Sequence, residues 1–445
     1  MAQYTPTFQS ETLNALASNT TSVQTMNTGS LPPNDSCSGI GLTGVLLQET
    51  CPACGYHVAV PFYDGGTQPL TTLAWPQTQA EAQAMNRLSL SFVRCVDCGH
   101  VYNKAFDYAD VPYSDKPNLM FNQGALWKEH LEAIQEQMLK RLPDNPTVIE
   151  IGCGEGHLLR GLAQKNPNGR YIGFDPSGHV DTGDGLIEFH QALFEPETHL
   201  AQYQPDMVIS RHVLEHLMNP LGFMQALAFS ASWVNHPVQV FIEVPCIDRV
   251  FDAQRTADFF YEHNSHFTSE SLRRLLARCA TTVDVIETGY YDEVVYGFAT
   301  LQGSPSQKKY ATQALQFFQD TRVGQKTVSQ QLTDLHQSGQ STAIWGGTGK
   351  AAAFIQRFEA DCERFPNVVD SDPAKVGTFV PGTGQRICLS DDLVKEPVDV
   401  IVIATQWRAK DIVMEMERKG IGYQQVLIEH QGQLIDYHRD SHPYS

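Results

Sequence analysis

The sequence predicts a multidomain α/β chain: a small N-terminal module that carries cysteine pairs, a central Rossmann-like sheet, and a second Rossmann-like α/β unit at the C-terminal end. Three observations predict it. Two Cys-x-x-Cys-Gly pairs, Cys51-Pro-Ala-Cys54-Gly55 and Cys95-Val-Asp-Cys98-Gly99, fall among short strands and turns. A glycine-rich turn, Glu150-Ile-Gly152-Cys-Gly154-Glu-Gly156, follows the strand-like run 148–151. A second such turn, Trp345-Gly-Gly-Thr-Gly-Lys350, follows the run 342–345.

At 445 residues the chain exceeds one typical core, which predicts two or three folded domains. The net charge of −19 argues against general affinity for nucleic acid or anionic membranes, both of which need a basic surface. An anionic small substrate would need a local cationic pocket. The start, Met1-Ala-Gln-Tyr, has no basic stretch followed by an apolar one, and no apolar run reaches the length of a membrane span. The expected location is therefore cytoplasmic. Apart from the two pairs, the cysteines (Cys37, Cys153, Cys246, Cys279, Cys362, Cys388) are scattered, which is no disulfide framework.

Residues 1–43 are rich in Ser, Thr, Asn, Gln and Gly and poor in large apolar groups, so a mostly disordered tail is expected. The cysteine module is expected at 44–112. Helical spacing of Leu126, Leu131, Ile134, Met138 and Leu142 predicts a helix over 124–142. Over 113–303, strand-like runs at 148–151, 171–174, 207–210, 238–244 and 296–301 alternate with helical ones, which predicts a mostly parallel sheet with crossover helices. A long polar helix with an intermittent apolar stripe is expected as a connector within 304–340. The second α/β unit follows at 341–445, with strands at 342–345, 367–369, 398–404 and 425–428.

The cysteine pairs read as two zinc knuckles. Each tight turn presents two thiolates, and the following glycine permits the positive φ that aims backbone N–H groups at sulfur. Four thiolates (Cys51, Cys54, Cys95, Cys98) complete a tetrahedral Zn²⁺ shell, so the metal would be structural. The competing reading is a pair of redox dithiols, which usually sit at a thioredoxin-like helix start that is absent here.

The first glycine-rich turn is Gly-x-Gly-x-Gly with an acid just before it, whereas dinucleotide folds favour Gly-x-Gly-x-x-Gly. Glu150 suits the cationic methionyl end of S-adenosylmethionine and opposes a diphosphate. Gly152, Gly154 and Gly156 let the backbone approach the ligand. Asp175, ending the next strand, can bind both ribose hydroxyls. Gln191 is placed to meet the adenine edge. Ser210-Arg-His212-Val-Leu-Glu-His216 closes the fourth strand in the crevice where such sheets bind ligands. A nicotinamide cofactor is the alternative, in either Rossmann unit.

Phe260-Tyr261-Glu262-His263-Asn-Ser-His266-Phe-Thr268 gathers a phenol, a carboxylate and an imidazole. Methylating carbon requires a carbon nucleophile, which is reached by removing a proton α to a carbonyl. An imidazole is the natural base near neutral pH, and an adjacent carboxylate could orient it and stabilise its cation. The competing reading is structural: Thr268-Ser-Glu270 caps a helix while the histidines pack in a loop, and His212 and His216 merely line a cleft.

In this order the motifs resemble the zinc-containing C-methyltransferases that act on nucleotide-linked keto-deoxysugars. The likeness spans about residues 48 to 435. It includes Asp370-Ser-Asp-Pro-Ala-Lys-Val-Gly377 and Pro381-Gly-Thr383 in the last part. The resemblance implies a zinc-binding domain, a class I S-adenosylmethionine methyltransferase sheet, and a C-terminal Rossmann-like domain, with the outer two closing over a nucleotide sugar. It also implies a monomer or homodimer. By motif position His263 matches the family's base, Glu262 its neighbour, and His216 a second active-site histidine. Tyr261 stands beside Phe260, where the family has a tyrosine, and Gly384 stands where the family often has a histidine. These departures admit a different carbon acid, such as a non-sugar natural-product intermediate. Methylation of oxygen or nitrogen, and a non-catalytic binding role, are the remaining readings.

Overall fold

A computed structural model describes residues 45–112, 124–178, 180–301 and 303–444. The tail expected at 1–43 lies outside the described residues, as does 113–123 at the start of the expected methyltransferase region.

The cysteine module comprises β1 (Ala59–Gln68), α1 (Gln79–Ala84), β2 (Leu88–Cys95) and β3 (Val101–Asn103). β1, β2 and β3 form an antiparallel sheet in that order, with Ala59 opposite Cys95. The second cysteine pair begins on the last residue of β2 and therefore forms the turn into β3.

The central unit comprises α2 (Ala125–Leu139), β4 (Thr147–Ile151), α3 (His157–Lys165), β5 (Arg170–Phe174), β6 (Glu188–His190), α4 (Pro196–Tyr203), β7 (Met207–Arg211), α5 (Pro220–Ser230), β8 (Val238–Pro245), α6 (Asp248–Ala253), β9 (Ser265–His266), α7 (Ser269–Cys279), β10 (Thr282–Gly289) and β11 (Val294–Leu301). Its seven-stranded sheet runs β10-β11-β8-β7-β4-β5-β6. The strands from β8 to β6 pair in parallel, and β11 is antiparallel to both β8 and β10. Alternate residues feed two cores, as a sheet covered on both faces requires. Ile149, Ile172, Val208 and Val240 pack against α4, α5 and α7, whereas Val148, Tyr171, Met207 and Phe241 pack against α2 and α3.

The C-terminal part begins with α8 (Pro305–Gln337), followed by β12 (Thr342–Trp345), α9 (Lys350–Arg357), β13 (Asn367–Asp370), β14 (Ile387–Leu389), α10 (Asp392–Lys395), β15 (Val400–Ile403), α11 (Ala409–Lys419), β16 (Gln425–His430) and β17 (Gln433–Asp436). Its sheet runs β14-β13-β12-β15-β16-β17, parallel except for β17. The chain thus holds two separate Rossmann-like sheets. β10, β14 and β17 add to the strands expected in these two sheets.

One short strand decides where the site sits. β9 has two residues and leaves the central sheet altogether. It pairs with β3 of the cysteine module, His266 opposite Val101 and Ser265 opposite Tyr102. On its far side Ile247 donates its N–H to the Phe267 carbonyl at 2.9 Å. The segment 260–268 is therefore stitched between the module and the carboxyl end of β8. Among the described residues no helix is long and apolar enough to cross a membrane.

Candidate functional site

Cys51, Cys54, Cys95 and Cys98 are buried, and their sulfurs lie within 4.8 Å of one another. The Cys51–Cys98 and Cys54–Cys95 separations are both 3.6 Å. Sulfurs at the corners of a tetrahedron with Zn–S near 2.3 Å stand roughly 3.8 Å apart, so the cluster fits the metal. Gly55 and Gly99 adopt φ of 74° and 76°, and backbone N–H groups of Ala53, Cys98 and His100 meet the sulfurs of Cys51, Cys95 and Cys98. The two knuckles expected from the spacing form as one cluster.

The first glycine-rich turn lies at the carboxyl end of β4. Gly152, Gly154 and Gly156 all have positive φ. A Cβ on Gly152 would stand 2.4 Å from Val213, so this position cannot take a side chain without displacement. Asp175 closes the turn: it accepts the Gly154 N–H at 2.9 Å and those of Ser177 and Gly178 at 2.9 and 2.6 Å. Glu150 is 3 % exposed and one of its oxygens has no hydrogen-bond partner. Burial pushes its pKa up to about 8, against the opposing pull of Arg211 and with support from Glu243 and Asp175. Beside it the buried Ser210 hydroxyl is also unpartnered. A buried carboxylate oxygen and a hydroxyl, both unmatched, fit the ammonium end of S-adenosylmethionine. Gln191 is exposed just past β6.

The loop leaving β7 lines a cavity of about 460 Å³, a size that suits a small molecule. His212, Glu215, His216, Phe260, His263, Trp127 and Tyr290 line it, together with Thr71, Thr72 and Trp75 of the cysteine module. His216 and His263 meet edge to face, with ring centroids 4.8 Å apart, and Phe260 packs on His263 at 4.2 Å. Burial, reinforced by His216, His266 and His212, holds the His263 pKa well below the ordinary value. The ring is therefore neutral, the form that accepts a proton. His212 is the opposite case. Burial opposes its charge, but the carboxylates of Glu215 (3.5 Å) and Glu243 (3.3 Å) win and push its pKa up to about 9. His266 sits between Phe92 and Phe259, and burial pushes its pKa down to about 3, so it is a core residue.

Two expectations for the flanking groups are corrected. Tyr261 is 1 % exposed and faces away from the cavity. Its hydroxyl accepts the Asp107 N–H at 2.8 Å and donates to Asp110 at 3.0 Å, while its ring packs on Phe106. A turn at Tyr261–Glu262 carries the Tyr261 ring to the module's side. Glu262 is fully buried, and its carboxylate is taken up by the loop over the cavity: it accepts backbone N–H groups of Thr71 (2.6 Å), Thr72 (2.8 Å) and Leu73 (3.2 Å). Its backbone carbonyl accepts from His216 Nδ1 at 2.8 Å.

Trp127, Tyr290, Glu215 and the Thr71–Leu73 loop were not legible as site residues. Tyr290, Tyr291 and Asp292 share left-handed backbone, but nothing in Tyr-Tyr-Asp announces it. The C-terminal domain contributes none of the described residues that line this cavity. In that domain Asp370 braces the second glycine-rich turn by accepting the Gly347 N–H at 3.4 Å, and it also accepts from Lys375 at 3.1 Å and from the Asp372 N–H at 3.0 Å. A larger cavity, about 1070 Å³, lies between α8 and this domain's sheet, away from the histidines.

Two measurements test the site. Protein purified without added zinc should carry one zinc per chain by elemental analysis; metal-free protein with intact folding would remove the cluster's assignment. Glu150 tests the crevice. Its folded pKa is raised, so its contribution to stability is full below about pH 4.5 and is lost as pH rises through about 8. The thermal midpoint of cofactor-free Glu150→Gln should therefore gain on the wild type as pH rises across that window, while S-adenosylhomocysteine binding weakens in calorimetry. A gap independent of pH would contradict the buried, strained carboxylate.

A family model described as a methyltransferase domain matches residues 126–279, and one described as a C-methyltransferase C-terminal domain matches 306–428. A curated tRNA (guanine-N(7)-)-methyltransferase from Mycoplasma capricolum is 54 % identical over 45 residues, 10 % of this chain; the match spans a fifth of that relative's length. A methyltransferase from Aquifex aeolicus is similar at TM-score 0.30 and 15 % identity, covering 41 % of this chain and all of that one. A plantazolicin methyltransferase solved with S-adenosylhomocysteine and a monoazolic substrate analogue is similar at TM-score 0.30 and 14 % identity, covering 40 % of this chain and 83 % of that one. The chain thus contains a methyltransferase domain followed by a C-methyltransferase C-terminal domain.

Proposed function

We propose that the protein is an S-adenosylmethionine-dependent C-methyltransferase with one structural Zn²⁺, acting on the carbon next to a ketone in a nucleotide-linked keto-deoxysugar. The observation that carries this reading is the imidazole of His263, which lines the cavity beside His216 and which burial keeps uncharged. Carbon is a poor nucleophile until a proton is removed, and the described lining offers an uncharged ring to receive it.

When bound, S-adenosylmethionine supplies an electrophilic methyl group and leaves as the homocysteine thioether. Glu150 and Ser210 receive its ammonium end, and Asp175 and Gln191 its ribose and adenine. His263 takes the α-proton onto its ring nitrogen, and the C–H electron pair becomes the enolate. That pair then forms the new carbon–carbon bond, and His263 releases its proton to water. His216, anchored through Nδ1 to the Glu262 carbonyl, forms the wall beside the base. The Glu262 carboxylate acts as a positioning group: hydrogen bonds to a charged partner contribute about 1.5–3 kcal/mol each, and three of them fix the Thr71–Leu73 loop over the substrate. The zinc cluster holds β2 and β3, and through β9 it holds His263 itself.

A second reading has one observation in its favour. Glu215 and Glu293 line the cavity, and none of its described lining residues is a lysine or arginine. A diphosphate would have to lie outside this pocket, and an uncharged natural-product ketone would fit within it.

His263→Ala should abolish methyl transfer to a panel of keto-sugar nucleotides while S-adenosylhomocysteine still binds. Glu262→Gln should raise KM with the pH profile of kcat unchanged. Near-normal turnover of the first variant would remove His263 from the chemistry, and a shifted pH profile in the second would return Glu262 to direct contact with the base.

A further inference from the structure

Three metal-ligating side chains meet within the cavity. Ligand atoms of Glu215, His216 and His263 all lie within 4.8 Å of one another. The first two sit on the short turn Leu214–His216 after β7, and the third on the segment stitched to β3. The partner of His216 Nδ1 is the Glu262 carbonyl, which can only accept, so that nitrogen carries the hydrogen and Nε2 carries the lone pair. A backbone carbonyl on the far nitrogen is the usual support of a metal-bound imidazole.

Glu215 supplies the independent observation. It is 1 % exposed, lines the cavity, and neither of its carboxylate oxygens has a hydrogen-bond partner. The nearby cation is the His212 ring, at 3.5 Å. Glu243 shares that ring at 3.3 Å, so the Glu215 carboxylate has one shared counter-charge and no hydrogen bond, an arrangement that a further cation would complete. Two imidazoles and one carboxylate on one side of a cavity are the donor set of first-row divalent cations, with the remaining positions open to water. Mg²⁺ and Ca²⁺, which prefer oxygen donors, are disfavoured.

We propose that the cavity binds a divalent transition-metal cation through Glu215, His216 and His263, and that the bound cation blocks methyl transfer. The lone pair that ligates the cation is the one that would receive the substrate proton, so the two events exclude each other. This site is distinct from the four-cysteine cluster, which has no vacant thiolate and lies in the other module. The blocking effect rests on His263 being the base; cation binding does not.

The test is titration of zinc-loaded full-length protein with Co²⁺, followed by visible spectroscopy. One Co²⁺ per chain should bind beyond the zinc, without the intense band of cobalt–thiolate ligation. Methyl transfer should fall roughly tenfold or more as it fills and return on washing with citrate. Glu215→Gln and His216→Asn should each weaken Co²⁺ binding by roughly tenfold or more. Both variants are first checked by their melting curves and by S-adenosylhomocysteine binding; if one fails to fold, the other is read. Undiminished Co²⁺ affinity in a folded variant would overturn the site. Residue-dependent Co²⁺ binding with unchanged turnover would support the site and contradict His263 as the base.

Discussion

The structure depends on one buried carboxylate. Glu262 lies on a segment that leaves the methyltransferase sheet and crosses into the cysteine module. Its oxygens collect N–H groups from a loop far away in sequence. Without a partner, a fully buried carboxylate would be among the costliest groups in the chain. The loop's backbone donors supply that partner, and in doing so they close the cavity over His263. The β3–β9 pairing then fixes the same segment from its other edge. The module and the central unit share hydrogen-bonded backbone at the site itself. The cysteine cluster thus bears on the position of His263.

Burial also sorts the ionisable groups. Around the cavity sit rings of one type with opposite fates. His263 and His266 lose their charge because aromatic and imidazole neighbours offer no compensation. His212 keeps its charge because Glu215 and Glu243 outweigh the same burial. Glu243, bonded also to Arg211 and His130, is held well below the usual carboxylate range despite its burial. Environments that push like groups apart are how acid and base roles are divided at one pH. The crevice next door holds the reverse arrangement in Glu150, a carboxyl raised by burial and left without a hydrogen-bond partner on one oxygen, which a cationic ligand would relieve.

Much of this was legible in the residues. The Cys-x-x-Cys-Gly pairs, the Gly-x-Gly-x-Gly turn and the apolar runs of β4, β5, β7 and β8 are local patterns, and local patterns survive folding. The sheet edges were harder: β14 is only three residues long, β17 is short and half-polar, and β10 is too exposed to read as an interior strand. Tyr261, Glu262 and His263 looked like one triad because they are consecutive. The turn at Tyr261–Glu262 instead sends them to different partners, the module's core, the Thr71 loop and the cavity. Trp127 and Tyr290 reach the site only through tertiary packing, which no spacing encodes.

The central claim is that a neutral His263 removes a proton from carbon. The most direct measurement is deuterium uptake by the substrate's α-carbon in D₂O with S-adenosylhomocysteine bound, so that no methyl group can be transferred. The account predicts uptake with the wild-type protein and none with His263→Ala. An α-carbon that stays protiated with the wild type, or exchanges equally with the variant, would contradict it.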